Sequence, residues 1–314
     1  MVSSSNDNFS VVRLSGGLGN QLFQLGFAIS TEIKMAEPVY LDTINYRKNL
    51  DKINRELALK SILGANALLI NSGSLLRQVI GSIESTRIRG FIDRNEEMFL
   101  KNRFKKLTFS RQAPYIFDEG LSYEPSSNYI GSFTSPQYWG EHQFLILQKV
   151  TSLLRSFSSN SSPSHQDGAG VLAIHARRGD YVTNLKTNSV HGSYGLSYYI
   201  ESVRLLLESG HNPSRIIISS DSNDFSHRLA QGLSKEFQRI QILDSNKLID
   251  LMLALSEADY FIGSNSTFSW WVAHLRVRAF SILPLIWFRG NDFNFKHSEY
   301  FLFKPHLLHF DFDS

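Results

Sequence analysis

The amino-acid sequence predicts an α/β protein whose C-terminal half is a doubly wound domain, with a parallel sheet between two layers of helices. From Val171 onward, short apolar strands alternate regularly with amphipathic helices, which is the pattern of such a sheet. Near the N-terminus, residues 9–35 predict a strand, a glycine loop and a helix, an arrangement that directs backbone N–H groups toward an anion or a sugar.

A stretch rich in Ser, Gly and Pro at residues 156–170 separates the two halves. This composition is typical of a linker, and the alternative is a long surface loop inside one domain. We therefore predict two domains, residues 1–160 and residues 161–314. The length of 314 residues is sufficient for both.

The composition excludes several classes of protein. A hydrophobic fraction of 42% and a charged fraction of 19% describe a soluble globular chain. The formal net charge of +3, without a block of basic residues, argues against nucleic acid as a partner. The chain has no cysteine, which excludes disulfides and thiolate zinc sites.

Neither end of the sequence nor its interior carries a membrane signal. Residues 1–8 lack the basic and apolar regions of a signal peptide. The longest apolar stretches, around residues 62–70 and 248–262, are interrupted by polar residues and fall short of the ~20 residues that a membrane helix requires. We expect a soluble protein with no transmembrane segment.

Hydrophobic periodicity predicts the elements of the first half. Strands are predicted at Phe9–Leu14, Pro38–Asp42, Thr86–Ile92 and Tyr129–Phe133. Helices are predicted at Leu22–Met35 and Glu141–Phe157, where apolar residues recur at helical spacing. Residues 53–69 are predicted to be mainly helical, and residues 70–123 otherwise indicate no clear order of elements.

The elements of the second half follow one another more regularly. Strands are predicted at Val171–His175, Arg215–Ser220, Arg239–Leu243, Asp259–Gly263 and Ala279–Leu283. Helices are predicted at Leu196–Ser209, Phe225–Phe237, Leu248–Ala258 and Thr267–Val277. Trp270 and Trp271 are expected in the core rather than on a sugar-stacking surface. Residues 311–313, Asp-Phe-Asp, are expected to belong to an irregular C-terminal end rather than to a metal site.

The first strand of the second half ends in a cluster of charged residues, His175-Ala176-Arg177-Arg178-Gly179-Asp180. In open α/β sheets, ligands lie outside the carboxyl ends of the strands. Two arginines at such a position suit an anionic ligand, because guanidinium offers a planar fork of donors and keeps its charge. The alternative is a structural ion pair between arginine and aspartate.

Two further strands of this half also end in polar residues. The second strand ends in Ser219 and Ser220, and Asp221 follows it directly. The fourth strand leads into a helix through Gly263-Ser264-Asn265-Ser266-Thr267. Small residues, a capping hydroxyl and unpaired amides at a helix N-terminus are the components of a phosphate site. The alternative at the fourth strand is a simple helix cap by Ser266 or Thr267.

The glycine loop near the N-terminus, Ser15–Gln21, is a weaker signal by itself. Gly17 and Gly19 supply part of the dinucleotide-binding fingerprint, but Leu22 takes the place of its third glycine. A strand-to-helix turn that simply requires glycine backbone would have the same sequence.

Three motifs in this order make the sequence resemble the α-1,2-fucosyltransferases of glycosyltransferase family eleven. The motifs are Gly16-Gly17-Leu18-Gly19-Asn20-Gln21-Leu22-Phe23-Gln24, His175-Ala176-Arg177-Arg178-Gly179-Asp180-Tyr181 and Ser264-Asn265-Ser266-Thr267-Phe268-Ser269-Trp270-Trp271. The resemblance implies a GT-B fold, in which two Rossmann-like domains face a cleft. It also implies inverting transfer of L-fucose from GDP-L-fucose to the 2-hydroxyl of a galactoside oligosaccharide, with no cofactor and no metal.

The resemblance assigns roles to the residues that match its motifs. Arg177 would contact the β-phosphate of the donor, and Arg178 would either bind the donor or make a structural contact. The diphosphate would be held by residues of the third motif, namely Ser264, Asn265, Ser266 and Thr267. Ser220 or Asp221 would contact the guanosine. The fucose or the acceptor would be faced by residues of the first motif, namely Gly16, Gly17, Gly19, Asn20 and Gln21.

The catalytic base is left open between three alternatives. Asp180 and His175 are the ionisable groups nearest the arginines, and either could instead be structural. In a loose, dissociative transfer, the departing β-phosphate could take the proton itself.

The alternatives to fucosyl transfer are another GDP-sugar, another linkage, or a non-catalytic protein that binds nucleotide sugars or glycans. Animal members of the family carry an N-terminal membrane anchor that this sequence lacks. The resemblance therefore implies a bacterial enzyme of glycan biosynthesis, either cytoplasmic or peripheral to the inner membrane, and the alternative is a chain with a trimmed N-terminus.

Overall fold

The computed structural model describes residues 9–46, 56–59, 106–109, 117–157, 170–244, 247–275, 280–289, 301–302 and 305–312. The predicted strand Thr86–Ile92, most of the predicted helical region at 53–69 and most of the predicted linker lie outside these residues. The chain divides into two compact units, residues 1–150 and residues 151–314. The sequence-based boundary after residue 160 falls ten residues beyond this division.

Among its described residues, the first unit contains a parallel sheet of four strands in the order β2-β1-β4-β3. The strands are β1 (Ser10–Arg13), β2 (Val39–Asp42), β3 (Lys106–Phe109) and β4 (Ser127–Ile130). Among the described residues, helix α1 (Leu18–Met35) lies in this unit, with 3₁₀ turns at Ile44–Tyr46 and Pro136–His142, and helix α2 (Gln143–Phe157) runs across the division after residue 150. The predicted strands at the positions of β1, β2 and β4 and both predicted helices are confirmed, each within a few residues.

Helix α1 is buried along most of its length because it packs on an aromatic cluster. Phe27 stacks on Phe133 with ring centroids 3.9 Å apart and meets Tyr138 edge to face. Gly26 allows the indole of Trp139 to lie against the helix, since a Cβ at that position would be 2.7 Å from the ring. This packing fixes the start of α1, and with it the glycine loop.

The second unit contains six parallel strands in the order β10-β9-β8-β5-β6-β7. The strands are β5 (Val171–Ala176), β6 (Arg215–Ser220), β7 (Ile240–Ile242), β8 (Tyr260–Ile262), β9 (Phe280–Pro284) and β10 (His306–Leu308). The helices are α3 (Gly179–Thr183), α4 (Leu185–His191), α5 (Leu196–Glu208), α6 (Asn223–Leu233), α7 (Leu248–Ser256) and α8 (Thr267–Leu275). All five predicted strands and all four predicted helices of this half are confirmed.

Numbered from β5, this strand order is 3-2-1-4-5-6, the arrangement of a doubly wound nucleotide-binding domain. The predicted α/β fold class is therefore confirmed, with a parallel sheet in each unit as the GT-B fold requires. The order reverses between β5 and β8, where Ile174 pairs with Ile262. On the other side of β5, Ala176 pairs with Ser220 of β6. The polar ends of β5, β6 and β8 consequently lie at one edge of the sheet, as the sequence predicts.

The core of the second unit lies between this sheet and the surrounding helices. Tyr199, Val203 and Leu206 of α5 are fully buried, as their helical spacing predicts, whereas Leu207 is only partly buried. Trp270 and Trp271 have no exposed surface, which confirms their assignment to the core. Within the described ranges, no helix has the length and apolar character needed to cross a bilayer.

The described residues after β10, 309–312, have no regular secondary structure, as predicted for the C-terminal end, but two of their side chains are packed against the unit. Strand β10 extends the sheet beside β9, and Phe310 and Phe312 pack against the core. The ring of Phe312 lies 4.8 Å from that of Tyr194 and covers Gly192, which has φ of 65° and no room for a side chain. The alternation of apolar residues at 308, 310 and 312 is the signal in the sequence that this irregular segment has one face for packing.

Candidate functional site

The edge of the second sheet formed by the ends of β5, β6 and β8 brings together most of the predicted donor-binding residues. His175 and Arg177 come from the end of β5, Asp221 follows β6, and Ser264–Ser266 join β8 to α8. Ligands of doubly wound sheets bind at such a reversal of strand order. The position of the cluster is therefore that of a nucleotide site.

Arg177 is held between two carboxylates at this edge. Its Nη2 lies 2.5 Å from Oδ1 of Asp180, and its Nη1 lies 2.6 Å from Oδ2 of Asp221. Burial opposes the charge of the guanidinium, but Asp221 and Asp180 outweigh that effect and raise the pKa of Arg177 above its ordinary value. About a quarter of the side chain, 27%, remains exposed, so a fixed positive charge is presented to solvent.

Arg178 makes the structural contact that the sequence left open as an alternative. Its Nη1 donates to the backbone oxygen of Tyr194 at 2.8 Å and lies 3.4 Å from Oγ of Ser193. The guanidinium lies over the ring of Phe225, 4.7 Å from its centroid. These contacts connect the start of α3 to the segment before α5 and to α6.

Asp221, predicted to contact guanosine, is engaged by the backbone that follows β5. Its Oδ1 accepts hydrogen bonds from the amides of Arg178 at 2.7 Å and Gly179 at 3.0 Å. A Cβ at Gly179 would lie 2.4 Å from Oδ2 of Asp221, so only glycine fits here. The neighbouring Ser220 accepts a hydrogen bond from the amide of Ser222 at 3.1 Å.

Three serines and a histidine form a buried network at the start of α8. Oγ of Ser269 lies 2.7 Å from Nδ1 of His175 and 3.2 Å from the hydroxyls of both Ser264 and Ser266. The Ser266 hydroxyl also accepts from the amide of Ser269 at 3.1 Å, which is the predicted helix cap. Ser269 was not predicted as a site residue, although its spacing of three from Ser266 is typical of capping pairs.

His175 is neutral at physiological pH in this network. Burial lowers its pKa to about 4; the charge of Asp221 opposes the shift, and that of Arg177 adds to it. Only 7% of the residue is exposed. Both observations make His175 a poor proton acceptor for an incoming hydroxyl and favour a structural role, holding β5 to α8.

Asn265 connects three segments at the same edge. Its Nδ2 donates to the backbone oxygens of His191 at 2.8 Å and Trp287 at 3.0 Å. The amide of Ser266 in turn donates to the carbonyl of Ser264 at 2.8 Å, which forms a tight turn before Thr267 begins α8. Asn265 therefore shapes the turn, and Thr267, the first residue of α8, is partly buried.

The glycine loop of the first unit is fixed by two buried glutamines. Nε2 of Gln21 donates to the backbone oxygens of Gly16 at 2.9 Å and Glu56 at 3.0 Å, and Oε1 accepts from the amide of Leu59 at 3.2 Å. Gln24 joins the amide of Ser15 to the carbonyl of Gly131. Neither glutamine has exposed surface, so Gln21 supports the loop from the interior of the unit. Gln24, the last residue of the first motif, was not predicted to have a role.

The remaining residues of this loop are arranged by backbone constraints. Gly16 has φ of 77°, and a Cβ there would be 2.6 Å from Nδ2 of Asn20. Gly17 caps the start of α1, four residues before the predicted start, and Gly19 is buried in the first turn. Asn20 is only partly buried, which makes it the side chain of the loop best placed for a ligand.

No group of three His, Asp or Glu side chains suited to a metal ion occurs among the described residues. The sequence-based expectation of a metal-independent reaction stays a prediction. The chemistry that these residues offer is anion binding by a fixed guanidinium and by the amides at the start of α8.

The fold and this edge together define a transferase or binding protein of the nucleotide-sugar type, and the sequence comparison identifies its family. The family described as glycosyl transferase family 11 matches residues 10–302. The chain therefore belongs to glycosyl transferase family 11, and it is a glycosyltransferase.

Two curated relatives are similar to nearly the whole chain. An alpha-1,2-colitosyltransferase from Escherichia coli is 24% identical over 297 residues, which cover 90% of this chain and 94% of that protein. The O-antigen biosynthesis glycosyltransferase WbnK from Escherichia coli is also 24% identical, over 89% of this chain and 95% of its own length.

Solved structures of fucosyltransferases show a distant likeness. A variant of Arabidopsis thaliana FUT1 in complex with GDP aligns with a TM-score of 0.47 at 14% identity, over 95% of this chain and 74% of that chain. POFUT1 in complex with GDP aligns with a TM-score of 0.44 at 13% identity, over 88% of this chain and 98% of that chain.

Proposed function

We propose that this chain is an inverting α-1,2-fucosyltransferase, which moves L-fucose from GDP-L-fucose to the 2-hydroxyl of a galactoside without a divalent metal. The single observation that carries the proposal is Arg177, a partly exposed guanidinium fixed by two carboxylates at the reversal of strand order. A leaving diphosphate requires a preorganised positive charge at this point when no metal supplies one.

In this reaction the bond between the fucose C1 and the β-phosphate oxygen breaks as the acceptor hydroxyl bonds to C1 from the opposite face. Arg177 and the amides at the start of α8 stabilise the negative charge that develops on the β-phosphate. The acceptor hydroxyl loses a proton. Since Asp180 is paired with Arg177 and His175 is buried, their positions favour transfer of that proton to the departing diphosphate.

A second candidate is colitosyl transfer, because one relative is an alpha-1,2-colitosyltransferase that covers 90% of this chain. Both candidates have the same linkage and differ in the sugar of the donor. Glycan biosynthesis in the cytoplasm, or at the inner face of the membrane, is part of this proposal.

The experiment is to measure nucleotide release in EDTA with lactose as acceptor, using GDP-L-fucose, GDP-colitose and GDP-mannose as alternative donors. We expect lactose-dependent release from GDP-L-fucose, and an α-1,2 linkage in the product by NMR. Release from GDP-colitose alone would replace fucosyl by colitosyl transfer. A strict metal requirement, or a product with another linkage, would contradict the corresponding part of the proposal.

A further inference from the structure

The carboxylate of Asp221 is a point on which three donors converge. Nη1 of Arg177 lies 2.6 Å from Oδ2, and the amides of Arg178 and Gly179 lie 2.7 and 3.0 Å from Oδ1. Asp221 follows β6, whereas all three donors follow β5. The side chain of Asp221 therefore connects the end of β6 to the residues that follow β5, including the positively charged Arg177.

The close approach of Asp221 to the backbone depends on Gly179. Gly179 leaves the space that Oδ2 occupies, since a Cβ there would be only 2.4 Å away. The carboxylate therefore packs against Gly179, and the amides of Arg178 and Gly179 hold its Oδ1. A rigidly held carboxylate restricts the rotamers of a long side chain that pairs with it.

The second carboxylate acts on the other arm of the same guanidinium. Asp180 lies in α3, the helix that begins at Gly179, and it pairs with Nη2 of Arg177 at 2.5 Å. Guanidinium has five N–H donors, so hydrogen bonds to both carboxylates leave donors for a ligand. Two backbone amides share the charge of Asp221, so Arg177 is oriented without losing its capacity to bind an anion.

We propose that Asp221 is a positioning residue, which orients Arg177 toward the donor diphosphate and does not contact the guanosine. This inference rests on the proposed function, because it presumes a nucleoside diphosphate as the ligand of Arg177. It replaces the sequence-based hypothesis that Asp221 recognises the nucleoside. Ser220 remains the candidate for that contact.

The test is to measure the affinities of GDP and guanosine by calorimetry for the wild-type chain, Asp221→Asn and Arg177→Ala, and for the double variant. Asp221→Asn keeps an oxygen for the two amides and removes the charge that orients Arg177. We expect GDP affinity to fall about tenfold or more, the scale of losing a hydrogen bond to a charged group, with guanosine affinity unchanged. In the Arg177→Ala background, Asp221→Asn should have no further effect.

The matched control is Asp224→Asn, since Asp224 is an exposed aspartate near the start of α6 that pairs loosely with Arg228 at 3.7 Å. We expect it to bind both ligands as the wild-type chain does. Unchanged guanosine binding also shows that each variant is folded.

Three outcomes would overturn the inference. An equal loss of guanosine and GDP affinity would make Asp221 a guanosine contact, and tighter GDP binding would make it a competitor of the phosphate. Additive effects in the double variant would separate Asp221 from Arg177. A wild-type chain that bound no GDP would instead refute the proposed function, which distinguishes the two failures.

Discussion

Two adjacent arginines, Arg177 and Arg178, have different functions because their partners differ. Arg177 pairs with Asp180 and Asp221, whereas Arg178 donates to Tyr194 and lies over Phe225. The sequence predicts two cations at a ligand-binding edge. It does not predict which of them stays available, because most of these partners lie 16 to 47 positions along the chain and are brought close only by the fold.

At the scale of single residues, replacing Arg177 tests its role in stabilising the leaving group. Arg177→Ala should lower turnover by about a hundredfold or more, the scale of losing one preorganised donor. Arg177→Lys should recover only part of this loss, because an ammonium group cannot bond both carboxylates and a phosphate in the geometry of a fork. Initial rates at saturating donor and acceptor measure the effect.

The control for Arg177 is Arg204→Ala. Arg204 is an exposed arginine of α5 that pairs only with Glu201 and Glu208 of the same helix among its described ion-pair partners. Its removal should leave turnover unchanged. Near-wild-type turnover in Arg177→Ala would exclude Arg177 from the mechanism.

At the scale of elements, the sequence predicts the doubly wound unit well because each strand is a short apolar run bounded by polar residues. Observed and predicted ends mostly differ by one or two residues, since capping decides where hydrogen bonding stops. Helices α3 and α4 were not predicted, because they are short and expose Val182, Leu185 and Val190. Without a buried apolar face, a helix has no periodic signal.

The turn between β8 and α8 depends on a glycine whose importance the sequence alone does not show. A Cβ at Gly263 would lie 2.6 Å from Leu283, 2.8 Å from Phe261 and 2.9 Å from Ser269. We therefore expect Gly263→Ala to lower the free energy of unfolding by about 1–3 kcal/mol, the usual cost of overpacking. Urea denaturation followed by fluorescence measures this change.

The comparison for Gly263 is Gly232→Ala in helix α6, where the nearest atom to a new Cβ is the mobile Cδ1 of Ile200 at 3.2 Å. Alanine is a better helix former than glycine by about 1 kcal/mol, so this variant should be neutral or slightly more stable. Equal destabilisation by both substitutions would show that the β8–α8 turn is not specially constrained.

At the scale of the whole molecule, two buried histidines make the stability of the second unit depend on pH. His274 is enclosed in the core, with Nδ1 donating to the carbonyl of Trp270 and Nε2 accepting from the amide of Leu302. Burial lowers its pKa to about 3, against a smaller opposing effect of the Trp270 carbonyl. In the unfolded chain its pKa is close to 6.5.

Between these two values the unfolded chain binds more protons than the folded chain, so stability is present above pH 6.5 and is lost as pH falls. From pH 7 to pH 5, His274 alone should lower the free energy of unfolding by about 2 kcal/mol. Urea denaturation at both values measures the loss. The exposed His227 is the control, and His227→Gln should keep the same pH dependence. A stability that did not fall would contradict the buried, neutral state.

The molecule as a whole has two α/β units, and what the sequence predicts differs between them. In the second unit, the strand order brings the residues of the second and third motifs to one edge of the sheet, as the sequence predicts. In the first unit, the fixed position of Gln21 beneath the loop was not predicted, because burial of an amide depends on backbone groups at Glu56 and Leu59. Polar residues in a motif can serve either a ligand or the loop itself, and sequence does not separate these roles.

The central claim is that the donor diphosphate binds at the edge formed by β5 and β8, with Arg177 as its cation. The most direct measurement is a crystal structure of the chain with GDP. We predict a β-phosphate oxygen within hydrogen-bonding distance of the Arg177 guanidinium, roughly 2.7–3.2 Å, beside the start of α8. A diphosphate bound in the first unit, or at this edge without contact to Arg177, would contradict the claim.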